Sequence, residues 1–211
     1  MKTNENREMK RVLFAAWRTF AGLRRPSKKA NARRLRERGE SVESLTIRQA
    51  TAADIPALAR LHVTTWNATY APLLMKGPGY GIRESQWREA FAKNDGSWFC
   101  FVVQRPDGEL VGFAKGRRSD HSEFRGELNK IYLLREYQRV GLGRRLLGQV
   151  ANRFLSEGIH AMWFFGDARN PSSRIWMALG AEKTDDDPGT GNYGWRDLRT
   201  LAALCEERPE R

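Results

Sequence analysis

The chain has 211 residues, 40% of them apolar, which suits one ordinary domain carrying an extension rather than several domains. No apolar run approaches the roughly 18 residues that a membrane-crossing helix needs. The apolar stretch 12–16 is too short for a signal peptide and no small-residue cleavage site follows it, so a cytoplasmic location is expected. The net charge of +12 is uneven: residues 1–44 hold 13 Lys/Arg against 5 Asp/Glu, a balance of +8, and residues 45–211 hold 24 against 20, a balance of +4. The strong basicity therefore belongs to the extension and says little about the chemistry of the main domain.

Within the extension, Met9, Val12, Leu13, Ala16, Trp17, Phe20 and Leu23 recur at helical spacing. This predicts an amphipathic helix over about 9–25, ended by Pro26. Residues 27–44 are dense in Lys, Arg and Glu and poor in large apolar side chains; they read as a solvated linker, helical at most over 30–38. A basic amphipathic helix can lie on an anionic membrane, and charge alone attracts nucleic acid. With no aromatic–basic interleaving beyond Trp17 and Phe20, docking on protein is the favoured reading. Membrane-surface contact is not favoured, and no specific nucleic acid is expected as a partner. The extension is expected to be dispensable for catalysis.

The compact domain, 45–211, opens with a short strand at 45–48. Thr51 or Asp54 can cap the following helix, whose positions Ile55, Leu58, Leu61, His62, Thr65 and Trp66 step by three or four. The Gly/Pro-rich stretch 76–81 is a loop, and a helix around 84–93 follows. Strands at 98–104 and 110–117 flank Arg105-Pro106-Asp107-Gly108, whose turn chemistry makes them a hairpin. A third strand, 126–134, leads into a helix starting near Gly141, with Leu142, Leu146, Leu147, Val150, Phe154 and Leu155 on one side and Gly158 closing it. A buried strand at 160–165, a short helix at 171–179 started by Pro171, and strands at 181–184 and 192–196 finish the core. This order predicts an α+β (α/β/α) domain: a mixed, mostly antiparallel sheet of six to seven strands covered by helices. Cys100 and Cys205, far apart in sequence, read as free thiols.

Chemistry concentrates in residues 127–147. A strand runs into Gly141-Leu142-Gly143 and directly into an amphipathic helix. The first-turn N–H groups of such a helix have no intrahelical partner, and the helix dipole places partial positive charge there. Glycines let a ligand approach the backbone, so the turn is an anion site suited to a pyrophosphate, with Arg139, Arg144 and Arg145 adding charge. The dinucleotide fingerprint fails because position 146 is Leu, and a P-loop fails because Arg follows Gly143. Gln/Arg-x-x-Gly-x-Gly/Ala fits Gln138 to Gly143 without mismatch.

On these residues the sequence resembles the GNAT acetyltransferase superfamily. The resemblance spans about 45–198. It includes the opening strand, Trp66 and Tyr70 at the end of their helix, the 112–116 strand, Tyr132-Leu133-Leu134 before the glycine turn, Asn170-Pro171, Trp176 through Ala181, and Tyr193 through Leu198. It implies a GNAT-like fold, acetyl-CoA as co-substrate, no metal, and direct transfer of acetyl to a primary amine, with a small-molecule amine as acceptor. Backbone groups of Leu133 and Leu134 would pair with the pantetheine arm. N–H groups from Arg139 through Val140, Gly141, Leu142 and Gly143 to Arg144 would hold the pyrophosphate. Tyr132, Asn170 and Trp176 would contact the co-substrate, and Trp66 and Tyr70 would line the acceptor cleft. The oligomeric state stays open, a homodimer included.

Direct transfer needs a base to free the amine lone pair. Glu127, fourteen positions before Gly141, stands where family members that use a strand carboxylate place it, and burial would suit it to that role. Where many members carry a tyrosine acid this chain has Trp176, whose indole cannot donate a proton usefully. Water, Ser173 or Tyr132 is then the acid. His62, His121 and His160 lack metal-ligand spacing. The competing functional readings are a protein N-terminal or lysine acetyltransferase and a non-catalytic acyl-CoA-binding module.

Overall fold

A computed structural model describes residues 27–70, 77–165, 173–184 and 191–206. In chain order the elements are α1 (Lys28–Glu37), β1 (Thr46–Gln49), a 3-10 turn (Ala52–Asp54), α2 (Ile55–Tyr70), α3 (Tyr80–Lys93), β2 (Trp98–Gln104), β3 (Leu110–Arg118) and β4 (Gly126–Leu133). A second 3-10 turn (Arg135–Tyr137) follows, then α4 (Leu142–Ser156), β5 (Met162–Phe165), α5 (Ser173–Ala178), β6 (Glu182–Lys183), β7 (Asn192–Trp195) and α6 (Leu198–Glu206). The strands form one seven-stranded sheet in the order β1-β2-β3-β4-β5-β7-β6. Every pairing is antiparallel except β4 with β5. The mixed, mostly antiparallel sheet with flanking helices expected from the sequence is therefore present.

Cross-strand partners point to the same side of a sheet, so the register sorts the side chains. Cys100, Lys115 and Lys130 stand in line, as do Trp98, Arg117 and Glu127. This face carries the smaller core, where Ile55, Leu58 and Leu61 of α2 and Trp87 of α3 cover Cys100, Val102 and Phe113. The other face carries the larger core. There Leu142, Leu146, Leu147, Val150 and Phe154 of α4 lie with Phe99, Val103, Ala114 and Leu128. The turn before α2 closes with a reciprocal capping box between Thr51 and Asp54. Arg48 of β1 grips the same Asp54 with both guanidinium ends, at 2.7 and 2.8 Å.

Two segments differ from their sequence reading. Within 27–44 the helix read over 30–38 is present as α1, but the segment is not a solvated linker. Ser27 caps α1, Leu35 is buried in the larger core, and Asn31 is fully buried. The composition misled because one apolar and one amide side chain, placed one turn apart, suffice to seat the helix. The core also does not finish with β7. The helix α6 buries Leu198, Leu201, Ala202 and Cys205, and Gly148 lets it approach α4 so closely that a Cβ there would lie 2.9 Å from Cys205 Cβ. Its signal was legible: Asp197 accepts the Arg199 N–H and the Thr200 hydroxyl, a helix start followed by apolar residues at helical spacing. The helix expected over 9–25 lies outside the described residues. Among the described residues no helix is long and apolar enough to cross a membrane.

Candidate active site

The strands β4 and β5 pair in parallel through only two rungs, Gly126 with Met162 and Glu127 with Trp163. Beyond Glu127 they separate, and the sheet opens into a cleft at its centre. On the opposite edge of β4, Gly116 pairs with Leu128 and Lys115 with Lys130, which makes Asn129 an extra, bulged residue. Such a bulge re-aims neighbouring side chains. Because of it, Glu127 and Lys130 face the same side of the sheet although they are three residues apart.

Glu127 is 7% exposed. Arg117, its cross-strand partner, donates to Oε2 from Nε and Nη2, both at 2.6 Å, and Asn129 Nδ2 donates to Oε1 at 2.8 Å. The carboxylate is thus fixed by donors on both oxygens at the last rung before the cleft.

Gly141 has φ 92° and opens α4 without a side-chain cap. A Cβ at Gly141 would meet nothing within 4 Å, so the space over the turn is open. The first helical bond runs from Arg145 N to Gly141 O, which leaves the first-turn N–H groups pointing into that space. An anion fits there. Arg139 also takes a left-handed backbone, φ 66°, and is exposed beside the turn. Leu142 does not line the turn with its side chain, which is fully buried in the core; only its backbone faces the anion site.

The flanking residues divide the expected roles. Leu134 cannot offer its backbone to a pantetheine arm: its N–H donates to Val111 O and its carbonyl accepts from Tyr137 N. By the alternation of an antiparallel ladder, the backbone groups of Leu133 and Ile131 turn the other way, toward the cleft. There Leu133 O accepts a 3.0 Å hydrogen bond from Gln138 Nε2. Arg145 does not serve the anion site, since its guanidinium donates to Val42 O and Leu45 O. The Arg144 side chain lies beside Cys205 of α6, so only its backbone faces the turn. Val140 is half-buried at the end of the loop.

Tyr132 lies on the α2–α3 side, its ring centroid 5.6 Å from His62 and 5.5 Å from Phe113. It faces α2 and α3 rather than the glycine turn. Trp176 packs 6.1 Å from Phe164 and 6.3 Å from Trp195, inside the aromatic cluster on β5 and β7. Trp66 is half-buried on α2, with Gly77 stacked on its indole so closely that a Cβ would lie 2.3 Å from the ring. Asn170 and the side chains of Tyr70 and Ser173 lie outside the described residues.

The α2–α3 face holds a group that sequence reasoning did not assemble: His62, Arg83, Lys115 and Lys130. His62 is 3% exposed and its Nδ1 has no hydrogen-bond partner. Burial, with Arg83, Lys130 and Lys115 adding positive charge, pushes it down to about 3, so it is neutral. Burial, with the cations Lys115 and Arg83, brings Lys130 down to about 8. Lys115 is lowered by burial. Its ammonium sits 4.5 Å from the ring centre of Trp98 and 5.4 Å from that of Trp87. No local pattern announces the group, because these residues come from four elements and the bulge sets the common facing of Lys130 and Glu127. His121 has a structural part, its Nδ1 accepting the N–H groups of Glu123 and Phe124. Among the described residues no group of His, Cys, Asp and Glu could hold a metal.

The chain is similar to known proteins. Residues 56–180 match the acetyltransferase (GNAT) family. The uncharacterized N-acetyltransferase YuaI of Bacillus subtilis (strain 168) is 32% identical over 174 residues, 76% of this chain and 98% of the relative. The L-methionine sulfoximine/L-methionine sulfone acetyltransferase of Pseudomonas aeruginosa is 27% identical over 167 residues, 74% of this chain and 91% of the relative. Among solved structures, PaiA N-acetyltransferase from Thermoplasma acidophilum in complex with coenzyme A shares the fold, with a TM-score of 0.54, 19% identity, and coverage of 72% of this chain and 98% of that one. The match across most of the compact domain, together with a relative aligned along nearly its whole length, leads to one conclusion: this chain belongs to the acetyltransferase (GNAT) family and is an N-acetyltransferase.

Proposed function

We propose that the enzyme moves the acetyl group of acetyl-CoA, the family's co-substrate, directly to the primary amine of a small molecule, with Glu127 as the general base. The observation that carries this reading is the position of Glu127: buried, fixed on both oxygens, and set at the rung where β4 and β5 part. The backbone of Ile131 and Leu133 and the first-turn N–H groups of α4 would hold the co-substrate, whose thioester supplies the acetyl group and a thiolate leaving group. Glu127 takes a proton from the amine, directly or through one water, as its nitrogen bonds to the acetyl carbon. A thiolate leaves without obligatory protonation, so Trp176 in place of a phenol does not bar the reaction. A small acceptor is favoured over a protein by the half-buried rings of Trp98 and Tyr132, set against the aromatic core of Trp87 and Phe113. It is also favoured by the name of the Pseudomonas relative, which acts on an amino-acid analogue.

Release of free thiol from acetyl-CoA in the presence of an amine panel tests the reading. Glu127→Gln should lower kcat by about 10²- to 10⁴-fold while acetyl-CoA affinity, measured by calorimetry, stays unchanged. Gly141→Asp should abolish acetyl-CoA binding, because it places a side chain and a negative charge over the anion turn and strains a positive φ. Unchanged kcat in Glu127→Gln rules out the base. Unchanged binding in Gly141→Asp rules out the co-substrate site.

A further inference from the structure

We propose that Arg83, Lys115 and Lys130 form an anion subsite that reads the carboxylate of the acceptor, so that the amine acetylated is that of an apolar α-amino acid or a close analogue. The inference rests on the transfer chemistry above and names its substrate class.

The geometry begins with the register. Lys115 and Lys130 stand directly opposite each other on β3 and β4, where like charges destabilise a ladder. Both point to the α2–α3 face, and Arg83 of α3 is close enough to act on Lys130 and on His62 of α2. Among the described residues none of these three cations has a carboxylate within ion-pair distance. Lys130 Nζ is held only by Asn129 Oδ1 at 2.9 Å, and Lys115 is offset only by indole faces. Arg83 donates to Gln86 at 2.9 Å, while its buried Nε has no partner. The groups facing them are His62, Cys100, Arg117, Glu127 and Tyr132. Glu127 is the one carboxylate in that set, and Arg117 already engages it.

A fold does not gather three half-buried cations around a neutral histidine for stability, since each carries a desolvation cost without an opposite charge. An anion arriving with the substrate supplies that charge. The subsite lies two rungs along from Glu127, past the pair Gly116–Leu128, and the bulge at Asn129 turns Lys130 to the same face as Glu127. An acceptor whose amine and carboxylate sit on one carbon reaches both: the amine at Glu127, the carboxylate at the lysines. The surrounding cations also favour the neutral amine over the ammonium, which is the nucleophilic form. Beside the subsite the half-buried rings of Trp98 and Tyr132, backed by the buried Trp87 and Phe113, suit an apolar side chain.

The test compares leucine, leucinamide, 3-methylbutylamine and the phosphonate analogue of leucine as acceptors. It also measures, by calorimetry without turnover, binding of N-acetylleucine and N-acetylleucinamide to the enzyme with coenzyme A. Leucine should exceed the amide and the amine in kcat/KM by about 10- to 100-fold, with the phosphonate well behind, and N-acetylleucine should bind correspondingly tighter than its amide. Lys130→Met should raise the KM for leucine about 10-fold or more and erase the preference, with coenzyme A affinity and fold intact. An anion raises the Lys130 pKa from about 8, so wild-type binding should take up protons near pH 8 to 9 and weaken as pH rises through that range; Lys130→Met should lose this dependence. Equal handling of acid, amide and amine overturns the subsite while leaving the transferase reading standing. A preference for the phosphonate reassigns the anion to phosphate and overturns the amino-acid class. N-acetylleucine binding that Lys130→Met leaves unchanged overturns the subsite whether or not turnover is found.

Discussion

At the scale of single residues, the site is built from donors set against acceptors that would otherwise go unmatched. Glu127 is held twice, and its residue type and distance from the glycine turn were readable from sequence. Its partners were not, because Arg117 comes from the neighbouring strand and Asn129 acts through a bulge that no local propensity announces. Gln138 shows a second effect. It belongs to the motif that identified the turn, and its amide now occupies the Leu133 carbonyl, the group that faces the cleft. In the proposed binding mode the co-substrate competes with that amide, so affinity is the difference between two hydrogen bonds to one oxygen. An exposed bond of this kind is worth about 1 kcal/mol. Gln138→Ala should therefore tighten acetyl-CoA binding up to about fivefold, measured by calorimetry. A weaker affinity in that variant would mean that Gln138 itself contacts the co-substrate.

At the scale of elements, periodicity located the sheet strands, α2 and α4 closely, because each presents a full apolar face to one of the two cores. It failed for α1, where the buried set is Asn31 and Leu35 alone. Asn31 Nδ2 donates to Arg135 O at 2.9 Å and to Gln138 O at 2.8 Å, so the helix holds both ends of the turn that precedes the anion site. Glu40 adds a 2.7 Å hydrogen bond from the Tyr137 hydroxyl, which burial and that carboxylate push up to about 12. The expectation that the whole extension is dispensable for catalysis conflicts with this packing. Removal of residues 1–26 should leave melting temperature and turnover near wild type. Removal of residues 1–44 forfeits the burial of Leu35, about 1.5–3 kcal/mol, and the two Asn31 bonds, about 1 kcal/mol each. It should lower the melting temperature by about 10 °C and weaken acetyl-CoA binding. Equal melting temperatures for the two truncations would show that α1 does not brace the domain.

At the scale of the whole molecule, one sheet separates two jobs. The larger core, under α4 and α6, is built of apolar side chains and steadies the helix whose N-terminus opens on the glycine turn. The smaller core, under α2 and α3, admits a buried histidine and a row of cations, and gives up stability there. The family and the fold were legible because they depend on the glycine turn and the order of elements. The cation group on the α2–α3 face was not, since it is assembled from residues as far apart as His62 and Lys130. The grip of Asn31 has a consequence in the opposite direction. Coupling between two places in a protein is reciprocal, so a loop steadied by its ligand must steady the helix that holds it. Lys28, Lys29, Arg33, Arg34 and Arg36 all lie in α1, each a tryptic cleavage point shielded only while the helix stays docked. With coenzyme A held at that turn as proposed, the rate of nicking becomes a gauge of its occupancy: saturating coenzyme A should slow it several-fold in the wild type and leave it unchanged in Asn31→Ala.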